Sequence, residues 1–282
     1  MYEVIFLIVL GLVWIVFASV QDCKSREVAN WLNFSLIIFA LGFRFFYSLF
    51  YQGEFSFFYQ GLIGFGIFFV LGNLLYYCRM FAGGDAKLMI AMGAVLPFSE
   101  SFFDNLNIFL WFLLLFFFVG AIYGLIWSLV LGGRNSKKLK KEFIKQFGEN
   151  KKLIYLPMIF GLVLMVFGFV EPLFLYFGIL FFLMPYLYLY AKSVDEVCMV
   201  KKVEVKDLTE GDWLYQDVKV GRKLIKKSWG GLSKEDIKLI QKYKKQVVIR
   251  QGIPFVPVFL ISFVVLIYLF SRGGLRYPLW QP

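Results

Sequence analysis

Runs of apolar residues long enough to cross a lipid bilayer constrain this chain more than any other feature. Several windows hold about 18 or more such residues, the length needed for a hydrocarbon core about 30 Å thick. The 282 residues are 60% hydrophobic and 21% aromatic, and their mean hydropathy is +0.71. Only 17% are charged, against about 25% in soluble globular proteins. The sequence therefore predicts an all-α polytopic membrane protein.

The apolar runs predict eight helical segments, of which six to eight are expected to cross the membrane. The fourth segment has about 13 apolar residues, fewer than a full crossing requires. The segments are 3–21, 31–51, 57–78, 86–98, 106–131, 153–170, 173–191 and 253–270.

Positive charge is confined to alternate connections between these segments. All of the 30 Lys and Arg residues except Arg44, Arg272 and Arg276 lie in residues 22–30, 79–87, 134–152 and 192–252. Because basic connections stay in the cytoplasm, the N-terminus is expected outside. The net charge of +11 then describes a cytoplasmic face that attracts membrane lipids, and nucleic acid is not an expected partner.

The pattern divides the chain into five expected parts. They are a membrane core (1–131), a basic amphipathic linker (132–152), a membrane helical hairpin (153–191), a small cytoplasmic α+β domain (192–252), and the last membrane helix with its tail (253–282). In the linker, Leu139, Phe143, Ile144 and Phe147 recur at helical spacing among lysines. In the α+β domain, Ser233 and Asp236 have the spacing of a capping box at a helix start.

The absence of histidine excludes several kinds of site. Histidine bases, Ser-His and Cys-His pairs and His-ligated metals are all ruled out. Cys23, Cys78 and Cys198 stand far apart with no CxxC pair, so neither a zinc site nor a disulfide framework is expected. No metal or cofactor is predicted. Carboxylates, lysines and tyrosines remain as candidates for proton transfer.

Three charged residues lie at or inside apolar segments. Arg44 is about seven residues from a helix end, and its side chain is expected to reach the membrane surface by snorkelling. Asp85, in "AGGDAKLM", is placed to cap the fourth helix, with Gly83 and Gly84 forming a turn before it. Asp22, in "DCKSREVAN", alone would be an ordinary residue flanking a helix end.

Taken together, the two aspartates suggest chemistry. Asp22 ends the first helix and Asp85 begins the fourth, both at the expected cytoplasmic boundary. Two carboxylates that meet can share one proton, so that one activates a water and the other donates to a carbonyl oxygen. Gly83 and Gly84 would let a backbone approach closely. Lys87 would tune the charge or contact substrate.

These residues resemble a known family. "DCKSREVAN" followed by "AGGDAKLM" is similar to the paired aspartate motifs of the archaeal preflagellin and prepilin peptidases, in the type IV prepilin peptidase family of GxGD membrane aspartyl proteases. "GLSKEDIKLI" with "VVIRQGIPFVPVFLISF" resembles the end of the archaeal members. Ala82 stands where the family pattern has its first glycine.

The resemblance implies a membrane aspartic endopeptidase with Asp22 and Asp85 as the catalytic pair. Such enzymes remove short basic leaders from archaellin and pilin-like precursors at the cytoplasmic face of the cell membrane. Glu27 and Lys87 are candidates for contacting the leader or tuning charge.

Other functions remain open from the residues alone. A transporter would use intramembrane carboxylates, but it would place them near the bilayer midplane. A non-catalytic scaffold would need both aspartates only as helix-flanking groups. A presenilin-type protease would place its second aspartate in a Tyr-Asp motif, whereas Gln21 and Phe103 precede the other aspartates of the membrane core.

Overall fold

Helices dominate the computed structural model, which describes residues 2–221, 223–228 and 230–273. The chain forms two units. One contains the residues up to Gly124 together with those from Ile253 onward, and the other is Leu125–Gly252. A helical membrane protein with a small sheet region before the last helix is thus confirmed.

The first unit is built from six helices. They are α1 (Tyr2–Ser25), α2 (Asn30–Tyr47, continued by a π-helical turn Ser48–Gln52), α3 (Ser56–Tyr77), α4 (Gly83–Val95), the start of α5 (Phe102–Arg134) and α10 (Val256–Ser271). The second unit contains the rest of α5 with α6 (Ser136–Glu149), α7 (Lys151–Phe167) and α8 (Pro172–Cys198).

Each predicted apolar segment is helical, but fewer of them are long enough to cross a membrane. Within the described residues, five helices qualify, namely α1, extended α2, α3, α5 and α8. The pair α6 and α7, bent by 81°, would make a sixth if it counts as one span. α10 is apolar but has 16 residues, and α4 has 13. The expected range of six to eight spans therefore agrees with the structure only at its lower end, when the bent pair is counted as one span.

α4 is the most deeply buried helix of the first unit. Met89, Ala91, Met92, Ala94 and Val95 are fully inaccessible. α3 packs closely against it through glycines, since a Cβ on Gly64 would lie 2.4 Å from the carbonyl oxygen of Gly93. Such small residues let helix backbones approach each other where lipid supplies no hydrophobic driving force.

Arg44 does not snorkel, contrary to the sequence expectation. Its side chain is completely buried, and its guanidinium donates to backbone carbonyls at the C-terminal end of α4. Nε bonds Ala94 at 3.0 Å and Nη2 bonds Val95 at 3.3 Å and also Pro97. Nη1 bonds the carbonyl of Phe57 at 3.1 Å. The carbonyls at the C-terminal end of a helix have no hydrogen-bond donors within the helix, and here one arginine supplies those donors.

The second unit carries the sheet. β1 (Val200–Glu204), β5 (Gln246–Arg250) and β2 (Trp213–Leu214) form an antiparallel sheet with β5 in the centre, and β3 (Val218–Val220) pairs with β4 (Lys223–Ile225). α9 (Lys234–Tyr243) begins as the sequence predicted, because Ser233 Oγ accepts from the Asp236 N–H at 3.2 Å. The Ser233 hydroxyl also holds the pKa of the Asp236 carboxyl below its usual range.

α6 is the predicted amphipathic helix. Leu139, Phe143 and Phe147 are partly buried, and Phe147 contacts the rings of Tyr155 and Tyr186. Ile144, expected on the same apolar face, is 62% exposed. The apolar face of α6 therefore packs against protein within this unit.

Replacing Arg44 by methionine is expected to lower the free energy of unfolding by about 3 kcal/mol, because four buried carbonyls lose their donors. Arg44→Lys should have an intermediate free energy of unfolding, since one ammonium group cannot donate to all four carbonyls. Thermal unfolding in detergent measures the effect, with Arg134→Met at an exposed helix end as the control. Equal midpoints for Arg44→Met and Arg134→Met would contradict the capping role.

Candidate active site

Asp22 lies in the last turns of α1 and is only 7% exposed. Its Oδ2 accepts a hydrogen bond of 2.9 Å from the backbone N–H of Val256, and the carboxylate also interacts with the N–H of Phe255. Val256 begins α10, whose N-cap residue makes no side-chain cap. Asp22 thus serves as the anion at the positive end of a helix more than 200 residues away.

Arg26 supports the same carboxylate. It follows α1 in a left-handed conformation, with φ of +60°, and its N–H bonds the carbonyl of Asp22 at 2.9 Å. The guanidinium of Arg26 attracts the Asp22 carboxylate. Asp22 therefore has favourable charge around it although it lies near the negative end of its own helix.

Asp85 is the third residue of α4 and is partly exposed. Its carboxylate interacts with the backbone N–H of Ala82, the residue before the helix. This is the reciprocal half of a capping box, so Asp85 acts from inside the first turn and is not itself the N-cap. The charge of Asp22 acts on Asp85. The structure thus brings the two sequence-predicted carboxylates into electrostatic range.

Gly83 and Gly84 are the first two residues of α4, so they do not form the expected turn. The chain reverses earlier, where Arg79 takes a φ of +61°. A Cβ on Gly84 would lie 3.7 Å from the Cβ of Val28, and one on Gly83 would lie 3.9 Å from the Tyr76 ring. Both are ordinary contacts, so the packing within the chain does not require glycine at either position.

Lys87 joins the two motifs. Its Nζ donates to Asn30 Oδ1 at 2.7 Å, which links the "GGDAK" segment to the last residue of "DCKSREVAN". Glu27 is exposed in the connection between α1 and α2, where its carbonyl accepts from Ser25 Oγ at 3.3 Å. Glu27 therefore lies close to Asp22 in sequence, and its side chain is exposed.

Across residues 2–221, 223–228 and 230–273, no group of three or more His, Cys, Asp or Glu side chains could hold an ion. The arrangement consists of two carboxylates, backbone N–H donors and two basic side chains. Such a site can hold and move protons.

One partner in the site carried no sequence signal. Val256 contributes a backbone N–H, and any residue other than proline has that donor. Only the order of the helices in space shows that α10 begins beside Asp22.

The hydrogen bond to α10 predicts a difference between two substitutions at Asp22. Asparagine keeps an acceptor oxygen for the Val256 N–H, whereas leucine leaves that buried donor without one. Asp22→Leu should therefore be less stable than Asp22→Asn by about 1–3 kcal/mol. Thermal unfolding of the purified protein measures this, with Glu27→Leu against Glu27→Asn as an exposed control. If Asp22→Leu and Asp22→Asn had the same melting temperature, the hydrogen bond to Val256 would contribute nothing to stability.

The family model and the relatives that match this chain are all peptidases. Residues 9–129 match the family model described as the type IV leader peptidase family. A preflagellin peptidase of Methanococcus voltae is 30% identical over 153 residues, which are 50% of this chain and 65% of that protein. One from Methanococcus maripaludis is 28% identical, over 51% of this chain and 68% of its own length. One from Methanocaldococcus jannaschii is 32% identical, over 32% and 37%.

The chain spans about two thirds, or less, of these relatives. No solved structure matches it. The matched region contains both aspartates, most of α1 and all of α2 to α4, and α10 lies outside it. The resemblance drawn from the two aspartate motifs is thereby confirmed over residues 9–129, which are similar to the type IV leader peptidase family.

Proposed function

We propose that this protein is a membrane aspartic endopeptidase that removes the basic leader from archaellin or pilin-like precursors. The observation that carries this proposal is the approach of Asp22 and Asp85, which come from different helices in the family-matched region. The preflagellin peptidases to which the chain is similar support the substrate class.

The two carboxylates would divide the chemistry between them. The Val256 N–H, the start of α10 and Arg26 all stabilise the charged form of Asp22, so we assign it as the base. Asp22 takes a proton from water as the oxygen attacks the scissile carbonyl, and protonated Asp85 donates to the carbonyl oxygen. When the tetrahedral intermediate collapses, the C–N bond breaks, the leaving nitrogen takes up the proton held by Asp22, and one hydroxyl of the intermediate returns a proton to Asp85 as the carbonyl re-forms.

The cleavage would take place at the cytoplasmic face of the cell membrane. Both aspartates adjoin basic connections, and such connections stay in the cytoplasm. A substrate whose leader is basic and whose next segment is apolar would place its junction at this boundary. Glu27 is an exposed acidic group close to Asp22 that suits contact with such a leader, and membrane lipids surround the helices.

A non-catalytic scaffold is the second candidate. It is favoured by the structural partners of both carboxylates, since Asp22 caps α10 and Asp85 interacts with the Ala82 N–H. Two helix-capping aspartates need no catalytic role. A transporter has no comparable observation in its favour.

Substitution of either aspartate separates the two candidates. Asp22→Asn and Asp85→Asn should each lower precursor cleavage by about 10²–10⁴-fold, the contribution typical of general acid–base groups. The assay uses membranes or detergent and a precursor with a basic leader before an apolar helix. Asp104→Asn, at an exposed aspartate in the first turn of α5, is the control and should cleave normally. Cleavage that survives in either variant would remove that residue from the mechanism.

Gly84→Ala tests whether substrate approaches the start of α4. The added methyl group makes only an ordinary contact with Val28, so the melting temperature should be unchanged. Cleavage should nevertheless fall about tenfold if an extended substrate backbone passes this position, a loss of about 1.4 kcal/mol in the transition state. Gly66→Ala has no atom within 4 Å and is the matched control. Normal cleavage by Gly84→Ala would show that no close approach occurs there.

A further inference from the structure

One face of α5 lies against the start of α10. Phe116, Gly120 and Tyr123 have the i, i+4, i+7 spacing that places residues on one side of a helix. The ring centroid of Phe116 is 5.7 Å from that of Phe255. A Cβ on Gly120 would lie 3.0 Å from Cζ of Phe255 and 3.6 Å from Cγ1 of Val258. Tyr123 follows Gly120 by about one helical turn on this face.

The same face brings Tyr123 to the Asp22 carboxylate. Phe255 is the N-cap residue of α10, and its N–H is one of the two backbone groups that interact with Asp22. The Tyr123 side chain is partly buried, and the charges of Asp22 and Arg26 act on it. The packing of α5 and these electrostatic interactions agree in placing Tyr123 beside the end of α1.

The hydroxyl of Tyr123 adds hydrogen-bonding capacity to a face that is otherwise apolar. Phe116 on that face contacts the rings of Phe81, Phe255 and Phe259. A phenylalanine at position 123 would supply the same ring to this packing. The phenol oxygen of tyrosine, in addition, can both donate and accept a hydrogen bond.

The proposed reaction requires the attacking water to be oriented. Asp22 accepts one proton from this water, but a water held by one hydrogen bond can still rotate, and reaction is efficient only when the reacting atoms are aligned. Asp85 is assigned to the carbonyl oxygen of the substrate. The groups that act on Tyr123 all belong to the end of α1 or the residues after it, namely Asp22, Cys23 and Arg26. Tyr123 therefore lies on the side of the base.

We propose that Tyr123 is a third catalytic side chain, whose hydroxyl donates a hydrogen bond to the attacking water beside Asp22. This rests on the proposed function. The water oxygen has two lone pairs, so that one accepts from Tyr123 while the other attacks the scissile carbonyl carbon. The water gives one proton to Asp22, and Tyr123 keeps its own proton throughout the reaction.

Removal of the hydroxyl alone tests this assignment. Tyr123→Phe should lower kcat for the precursor about tenfold, the effect of one hydrogen bond made in the transition state, with KM and the melting temperature unchanged. Tyr47→Phe is the matched control, because the Tyr47 hydroxyl also donates to a carboxylate, Glu3 Oε2 at 3.1 Å, but at the opposite end of α1 from Asp22. Wild-type kcat in Tyr123→Phe would overturn the proposal.

A more acidic phenol separates a catalytic role from a structural one. Difluorotyrosine at position 123 keeps the ring and the hydroxyl but loses its proton at lower pH than tyrosine does. A phenolate cannot donate to the water, and it would repel the Asp22 carboxylate. Arg26 after α1 and Asp85 in α4 are the other charged groups at the pair, and both are unchanged, whereas the start of α10 contributes backbone N–H groups.

The alkaline limb of the kcat/KM profile should therefore move to lower pH when difluorotyrosine replaces Tyr123. The same replacement of Tyr47 should leave the profile in place. An unchanged profile for the variant at position 123 would overturn the proposal, even if Tyr123→Phe were slow.

Crosslinking tests the position of Tyr123 without turnover. Cys23 is exposed, and it acts on Tyr123. With Cys78 and Cys198 replaced by serine, a short bis-maleimide should join Tyr123→Cys to Cys23, as detected by mass spectrometry of the digested protein. Ile122→Cys, at a neighbouring exposed position of α5, is the control and should give little of this product.

Equal crosslinking at positions 122 and 123 would overturn the proposal. Failure of the wild-type protein to cleave any precursor would instead overturn the proposed function, since the crosslink does not depend on cleavage.

Discussion

A helix that is too short to cross the bilayer has to end inside the protein, and α4 is such a helix. Its 13 residues span only about 20 Å at 1.5 Å per residue. Its final carbonyls would be unpaired in an apolar core if Arg44 did not donate to them. Arg44 therefore stabilises the C-terminal end of the same short helix whose first turn contains Asp85.

The end of α1 and the start of α10 also meet through a charged side chain bound to a backbone group. Asp22 accepts from the Val256 N–H, so α10 and α1 are joined by a charge at a helix start. The family-matched region ends at residue 129, yet one of its two carboxylates is held by a helix beyond it. The orientation of Asp22 therefore depends on a segment that follows the whole second unit in sequence.

The sequence predicted the helical membrane architecture and the capped start of α9, because apolar length and motif spacing are local or nearly local signals. It suggested Asp22 and Asp85 as a catalytic pair, but whether they meet depends on how the helices pack. It did not predict the partners of Arg44. A charged residue near the end of an apolar segment is equally compatible with a side chain that reaches the membrane surface. Every residue has a backbone carbonyl, so the sequence does not show that those of Ala94 and Val95 accept hydrogen bonds from Arg44. The turn assigned to Gly83 and Gly84 was wrong because a glycine pair is compatible with both a turn and a helix start. The role of the Val256 N–H depends on tertiary packing alone.

Three buried polar side chains in the first unit can be ordered by how completely they are paired. Arg44 and Asn105 bind backbone carbonyls, and their burial follows from the structure they support. Asn33 is as deeply buried but lacks any such partner among the described residues. The hydroxyls of Ser19, Ser48 and Ser262 are buried without a hydrogen-bond partner among the described residues as well, so burial of a polar group in this unit does not by itself imply pairing.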